Sequence, residues 1–163
     1  MKIDTAPGFR LAAAAVAMAA VVVVLGAFTR LADAGLGCPD WPGCYGFAGI
    51  PMSEDTIATA ETRYPDAPYE FDKAWPEMVH RYFAAGLGLV ILVIAGRALQ
   101  RRHQPAQPLR LPLLLLGLVL LQGAFGAWTV TLKLWPQVVT AHLLGGFTIL
   151  TLLWLLTRSE EHT

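Results

Sequence analysis

Long apolar runs alternate with shorter polar stretches along the chain. Four runs are long enough to cross a bilayer, whose hydrocarbon core of about 30 Å needs roughly 20 residues of helix. They cover about residues 9–28, 78–98, 111–131 and 138–157. Lipid offers no partner for backbone polar groups, so each run is expected to be helical. The pattern predicts an all-α, four-helix transmembrane bundle that forms one domain over residues 1–163, with a long polar loop at residues 29–76.

Composition supports the membrane class and excludes others. The chain has 163 residues, of which 55% are hydrophobic and 15% charged, and a chain of this size cannot hide that much apolar surface in a soluble core. Its net charge is zero and no basic stripe is present, so nucleic acid is not an expected partner. Membrane lipid is the expected surrounding.

The distribution of lysine and arginine predicts the orientation. Basic residues flank the apolar runs on the side that holds both termini, and that side is expected to be cytoplasmic. These residues are Lys2, Arg10, Arg97, Arg101, Arg102, Arg110 and Arg158. Residues 29–76 and 132–137 then lie outside. The first run is too long for a typical signal-peptide core, although Ala32-Asp33-Ala34 resembles a cleavage site, and no mitochondrial presequence is evident. A bacterial plasma (inner) membrane is the expected location.

Two histidines lie a few residues inside apolar runs that enter the membrane from the same side. His80 follows Trp75-Pro76 and His142 follows Trp135-Pro136. Tryptophan is typical of the membrane interface and proline of a first helical turn, so both helices are expected to start there, the second near Glu77. The two rings then lie at a similar depth near the outer face. Ionisable side chains inside a span are costly and usually functional.

Counting ligands favours haem at this pair. Two histidines leave further metal positions to fill, and the sequence places no Cys, Met or carboxylate cluster at that depth to complete a zinc or copper site. A porphyrin supplies the equatorial ligands. Glycines that follow His142, Gly145 and Gly146, leave room for a flat group or simply allow close helix packing. The pattern predicts that His80 and His142 are axial ligands of one haem iron.

A charged group surrounds the first histidine. Glu77 and His80 share a helical face, and Arg81 is spaced to pair with Glu77. Arg81 is alternatively placed to bind a haem propionate, for which a guanidinium is well suited. Glu77 is a candidate proton relay near the haem edge, or a carboxylate favoured at a helix start by the helix dipole.

Both cysteines lie in the outer loop, in Cys38-Pro39-Asp40-Trp41-Pro42-Gly43-Cys44. On an oxidising face, a disulfide that closes this small loop is expected. A purely structural role and a redox role both remain open. The following residues, 50–71, are polar, acidic and proline-rich without a periodic pattern, and are expected to form a surface excursion.

The two helical hairpins share a plan, since each delivers a histidine after an outer Trp-Pro. Gly26-Ala27-Phe28 in the first hairpin is similar to Gly123-Ala124-Phe125 in the second. This similarity is a hint of parallel internal repeats.

These residues together resemble the amino-terminal half of the haem A synthase family. The resemblance runs in consistent order from about Gly26 to His142, and the Cys-Pro-Asp-Trp-Pro and Glu-x-x-His-Arg blocks are its most specific parts. The matching segments are Gly26 to Leu31, Gly35-Leu36, Cys38 to Cys44, Glu77 to Arg81, Gln122-Gly123 to Val130, and Pro136 to His142.

The resemblance implies an activity and roles for individual residues. It implies oxidation of a ring methyl of haem O to the formyl group of haem A, for use in terminal oxidases. By that likeness His80 and His142 flank the haem, Glu77 is the carboxylate linked to activity, and Cys38 and Cys44 form a disulfide. An enzyme that supplies haem O and an electron donor are the implied partners.

One departure from the family concerns length. Family members usually have eight helices in two halves, with a second haem in the other half, whereas four helices are predicted here. Either the chain is a half-length member that works as a homo-oligomer or with a second four-helix half, or it is a truncated piece of a longer protein. Two other functions remain open: a bis-histidine electron carrier that leaves haem b or haem O unmodified, and a non-catalytic assembly subunit without haem.

Overall fold

The computed structural model describes residues 7–104 and 109–161, and Lys2 of the predicted cytoplasmic set lies outside them. Almost every regular element in these ranges is an α-helix, and an isolated β-bridge joins Cys44 to Phe47. The helices are α1 (Pro7–Leu31), α2 (Glu54–Arg63), α3 (Phe71–Gln100), α4 (Arg110–Thr131) and α5 (Pro136–Glu161).

Four of these helices are long and apolar enough to cross a membrane. The candidate spans are Gly8–Leu31, Phe71–Gln100, Arg110–Thr131 and Pro136–Ser159. Many of their large apolar side chains face outward, as lipid-facing residues do. The predicted all-α membrane class with four spanning helices is confirmed.

Helix α3 begins earlier than the sequence pattern indicated. It starts at Phe71 rather than near Glu77, so Pro76 lies inside the helix. A proline removes one backbone donor and crowds the preceding turn. Pro76 is the sixth residue of α3 and lies beyond the donors that lack an acceptor, since the Ala74 amide already bonds to Glu70 O at 2.9 Å. The charged turn of Glu77 is therefore already helical.

The outer loop contains a helix that the sequence analysis did not predict. α2 is capped by Ser53, whose hydroxyl accepts from the Thr56 amide at 3.3 Å while the Thr56 hydroxyl accepts from the Ser53 amide at 3.0 Å. Glu54 and Asp55 occupy its first turn, where negative charge is favoured. Local capping, rather than a long apolar face, defines this helix.

The described residues fall into two compact units. Unit 1 consists of the described residues within Met1–Val23, Phe83–Gly123 and Leu143–Thr163. Its core combines alanines of α1 with larger side chains of the other long helices: Ala12, Ala15, Ala19, Leu87, Ile91, Ile94, Leu115, Ile149, Leu153 and Leu156. Small residues at helical spacing allow helices to approach closely, as at Gly86, where the Met18 side chain occupies the space of a Cβ.

Unit 2 comprises Val24–Tyr82 and Ala124–His142 and contains the outer loop. Its core is built around the cysteines and the start of α3, from Cys38, Cys44, Tyr45, Ala60, Ala74 and Met78. Tyr45 stacks edge-on against Tyr64 and Tyr69 at 5.7 and 5.5 Å. The loop is thus a folded layer with its own core, more than the surface excursion that was expected for residues 50–71.

Candidate functional site: a histidine pair beside a clamped disulfide loop

The two histidines come together in unit 2. His80 is the tenth residue of α3 and His142 the seventh of α5, and their ring centroids lie 6.4 Å apart with the ring planes at 86°. Two imidazoles on opposite sides of one metal, with metal–nitrogen bonds of about 2.0–2.1 Å, have centroids roughly 6 Å apart. The spacing of the pair therefore fits coordination of a single iron.

A glycine on a neighbouring helix lies against each ring. A Cβ added at Gly26 would stand 2.9 Å from Cε1 of His80, and one added at Gly126 would stand 3.5 Å from Cε1 of His142. The first distance is shorter than real Cβ contacts, so His80 occupies space that only glycine leaves free. The His80 ring is thus seated against bare helix backbone, whereas the space beside the His142 ring would admit a methyl group at Gly126.

The remaining ligands of such an iron would have to come from a group other than protein side chains. Within residues 7–104 and 109–161, no group of three or more His, Cys, Asp or Glu residues is placed to hold a metal ion. Haem supplies its own equatorial nitrogens and needs only axial ligands from the protein. The donor set and spacing at His80 and His142 fit that requirement.

The helices that carry these glycines end in the same way, 100 residues apart. In α1 the amide of Ala34 donates to Thr29 O at 2.9 Å, and in α4 the amide of Leu134 donates to Thr129 O at 2.8 Å. Asp33 and Lys133 both adopt positive φ, 50° and 49°, as in a helix-ending turn.

The structural equivalence therefore matches Gly26-Ala27-Phe28-Thr29 to Gly126-Ala127-Trp128-Thr129. The two hairpins share this local motif, and its register is three residues further along than the Gly123-Ala124-Phe125 match. The histidine contacts decide this register, because they involve Gly26 and Gly126.

Glu77 and Arg81 hold the cysteine loop against the start of α3. Glu77 is 5% exposed; its Oε2 accepts from the Cys38 amide at 2.9 Å, and its Oε1 pairs with Arg81 Nη2. Arg81 Nη1 also donates to the carbonyls of Gly43 at 2.6 Å and Asp40 at 3.0 Å. The predicted Glu77–Arg81 pair exists, and it reaches the loop as well. The propionate contact of Arg81 stays a prediction.

The loop itself is closed covalently. Cys38 and Cys44 form a disulfide with Cα atoms 4.8 Å apart, and both are fully buried. Asp40 Oδ2 accepts from the Gly46 amide at 2.8 Å, while Tyr45 donates to Pro68 O at 3.0 Å. Burial raises the pKa of Tyr45, and likewise that of Tyr69, so both phenols stay protonated at neutral pH and keep donating.

Gln122 belongs to unit 1. Its side-chain amide occupies the space beside Gly145, where an added Cβ would collide with it, and its Nε2 would lie 3.6 Å from a Cβ at Gly146. Of the two readings of these glycines, room for a flat ligand or close packing, the contact with Gln122 favours packing at Gly145.

Sequence reasoning missed Gly26 and Gly126 as neighbours of the histidines, and Asp40 as a loop-forming residue. For the glycines the sequence contains a signal. The Gly-Ala-aromatic-Thr match between residues 26–29 and 126–129 covers four residues, whereas the match to residues 123–125 covers three. Asp40 forms a bond within its own loop, and side chains of this type commonly bond nearby backbone.

A family model described as cytochrome oxidase assembly protein matches residues 9–163. The chain belongs to this family. Proteins named heme A synthase are similar to it: one from Shewanella oneidensis is 52% identical over 136 residues, covering 83% of this chain and 40% of that protein.

Two further heme A synthases show the same partial coverage. The protein from Geobacillus kaustophilus is 35% identical, over 85% of this chain and 40% of its own length. The protein from Cereibacter sphaeroides is 34% identical, over 86% of this chain and 41% of its own length. The family member described here therefore spans about two fifths of these curated relatives. Its relatives and its four apolar helices make it a multi-pass membrane protein of bacterial type.

Proposed function

We propose that this family member binds haem O between His80 and His142 and takes part in its oxidation to haem A. The observation that carries the proposal is the pair of histidine rings, 6.4 Å apart, in a chain that is 52% identical to a heme A synthase. In this reaction a ring methyl of the substrate becomes a formyl group by gaining one oxygen and losing two hydrogens. The substrate supplies the iron, and the protein supplies the axial ligands.

The residues around the pair have distinct proposed roles. His80 and His142 hold the iron and orient the macrocycle. Glu77 lies one helical turn before His80, with both carboxylate oxygens already bonded, so we assign it to ordering the site next to the reacting edge. Arg81 fixes the loop carbonyls and supplies charge for a propionate.

We further propose a bacterial plasma (inner) membrane location with both termini cytoplasmic. The basic residues near the ends of the spans support this orientation. The disulfide loop then faces the oxidising side, which agrees with the Cys38–Cys44 bond. The histidines, which follow that loop and the turn before α5, lie near the outer face.

The proposal includes partners because the chain spans about 40% of the length of its relatives. Methyl oxidation requires an oxygen source and a redox partner, which a second four-helix half or a second copy of this chain would help to provide. An enzyme that delivers haem O is required upstream.

The proposal is tested by expressing the chain with a source of haem O and extracting its pigment. Haem A in the extract is the expected result. A haem-loaded particle that returns only haem O or haem b contradicts the oxidation and supports the electron-carrier alternative, which two histidines at one iron also satisfy. Purified protein without a Soret band contradicts both and supports the non-catalytic assembly subunit.

A further inference from the structure

The two histidine-bearing turns are held to different degrees. We infer that His80 is the fixed ligand of the haem site and that His142 is the ligand that leaves the iron when haem enters or departs. This inference rests on the proposed function, in that haem is the group that the two rings share.

The turn that carries His80 is anchored to other parts of unit 2. Pro76, Glu77 and Met78 are buried, and the Thr29 hydroxyl of α1 donates to Pro76 O at 3.4 Å. On the other side of His80, Arg81 binds the disulfide loop through Gly43 O. These bonds connect segments about 40 residues apart in the sequence, so the backbone of this turn is fixed before any ligand is present.

The His80 ring also has little freedom. A Cβ at Gly26 would lie 2.9 Å from its Cε1, 3.4 Å from Nδ1 and 3.5 Å from Nε2. The ring therefore lies across the bare backbone of α1, with three of its atoms at or within contact distance of that added carbon. Movement of the ring further toward α1 is therefore blocked by helix backbone.

The turn that carries His142 is more exposed than the turn that carries His80. Val138 is buried, but Pro136, Gln137 and Thr140 are exposed, and Thr140 Oγ1 donates to Pro136 O at 2.8 Å within α5 itself. A Cβ at Gly126 would reach only ordinary contact, 3.5 Å from Cε1 of His142. A methyl-sized gap thus remains beside this ring.

This difference matters because a haem that is substrate must later leave as product. Release requires both iron–nitrogen bonds to break in turn, with each imidazole keeping its lone pair and the iron its oxidation state. The ring with room to withdraw first is His142, and His80 alone then holds the macrocycle until its own bond breaks.

Carbon monoxide binding to the reduced, haem-loaded protein tests the assignment. At saturating carbon monoxide, the binding rate of a six-coordinate haem is limited by departure of the ligand that yields. In Gly126→Ala the added methyl fills the gap beside His142, and the rate should fall about fourfold, the effect of burying one methyl-sized group. Gly123→Ala is the matched control on the same helix, because nothing lies within 4 Å of its added Cβ, and its rate should equal that of the unsubstituted protein.

The equivalent substitution at the other glycine should act in the opposite direction. Gly26→Ala forces His80 from its position, so its haem content should fall and its carbon monoxide rate should not decrease. A second measurement does not require that the protein folds with alanine at Gly26 or Gly126. His142→Ala should retain five-coordinate haem on His80, whereas His80→Ala should retain less haem than His142→Ala does.

An unchanged rate in haem-loaded Gly126→Ala, or greater haem retention in His80→Ala than in His142→Ala, would overturn the inference and leave haem binding intact. Absence of haem from the unsubstituted protein would overturn the proposed function together with the inference. The two failures are therefore distinguishable.

Discussion

At the residue scale, the paired histidines are the feature that sequence and structure describe most consistently. Their position after Trp-Pro predicted a similar depth, and the structure adds a separation of 6.4 Å. The glycine contacts could not be predicted from helical spacing, because they depend on how α1 packs against α3 and α4 against α5. Pairing of Glu77 with Arg81 followed from their spacing, whereas the Arg81 contacts with loop carbonyls join residues about 40 positions apart.

Removing either histidine should lower haem content. His80→Ala and His142→Ala each delete one axial ligand, and the ratio of Soret absorbance to protein should fall in both. His103→Ala is the control, because His103 is exposed and follows the end of α3. Full haem retention in both variants, at normal yield, would refute the assignment of the ligands.

Glu77→Gln should keep haem and lose methyl oxidation. The substitution preserves the side-chain shape but removes the charge of buried Glu77 that pairs with the partly buried Arg81, and breaking such a pair costs up to about 3 kcal/mol. Glu70→Gln breaks the exposed pair with Lys73 instead, which should cost below about 1 kcal/mol. Thermal unfolding in detergent and pigment analysis measure the two effects. Normal haem A formation in Glu77→Gln would limit this residue to a structural role.

At the element scale, the four spanning helices were predictable because hydrophobic length alone defines them in lipid. The start of α3 was less predictable, since Pro76 is equally compatible with a first turn or with a position slightly inside the helix. Helix α2 was not predicted because it has no long apolar period, and its local signal is the cap formed by Ser53 and Thr56. The small core of tyrosines that covers the disulfide depends on tertiary contacts, which no local pattern encodes.

Ser53→Ala should destabilise α2 by about 1 kcal/mol, the usual cost of losing such a cap. Amide hydrogen exchange across residues 54–63 should become faster while the spanning helices keep their protection. Thr62→Ala is the matched control, because its hydroxyl bonds only to Ala58 O within the same helix. Equal exchange in the Ser53 and Thr62 variants would show that the cap contributes nothing.

Opening the disulfide should loosen the turn that carries His80. Cys38→Ser with Cys44→Ser removes a crosslink across six residues, with a stability loss of about 2 kcal/mol expected for so short a loop. Because Cys38 donates to Glu77, haem retention should fall together with the melting temperature. Unchanged haem content in the double variant would show that the loop does not position the ligand.

At the scale of the whole molecule, the described residues of this family member contain one histidine pair and four helices long enough to span a membrane, over about two fifths of the length of its relatives. In the proposed function, one haem is held by ligands from α3 and α5 with a glycine beside each. Oxidation of that haem requires further components. The mass of the purified particle shows whether it contains a second copy of the chain. Haem A formation by that particle then shows whether the second copy supplies the missing components.

The most direct test of the central claim is the haem content per chain of the purified protein, measured by the pyridine haemochrome together with protein mass. One haem per chain is predicted, falling in both single histidine variants and absent from the double variant His80→Ala with His142→Ala. A double variant that still binds one haem per chain would contradict the account.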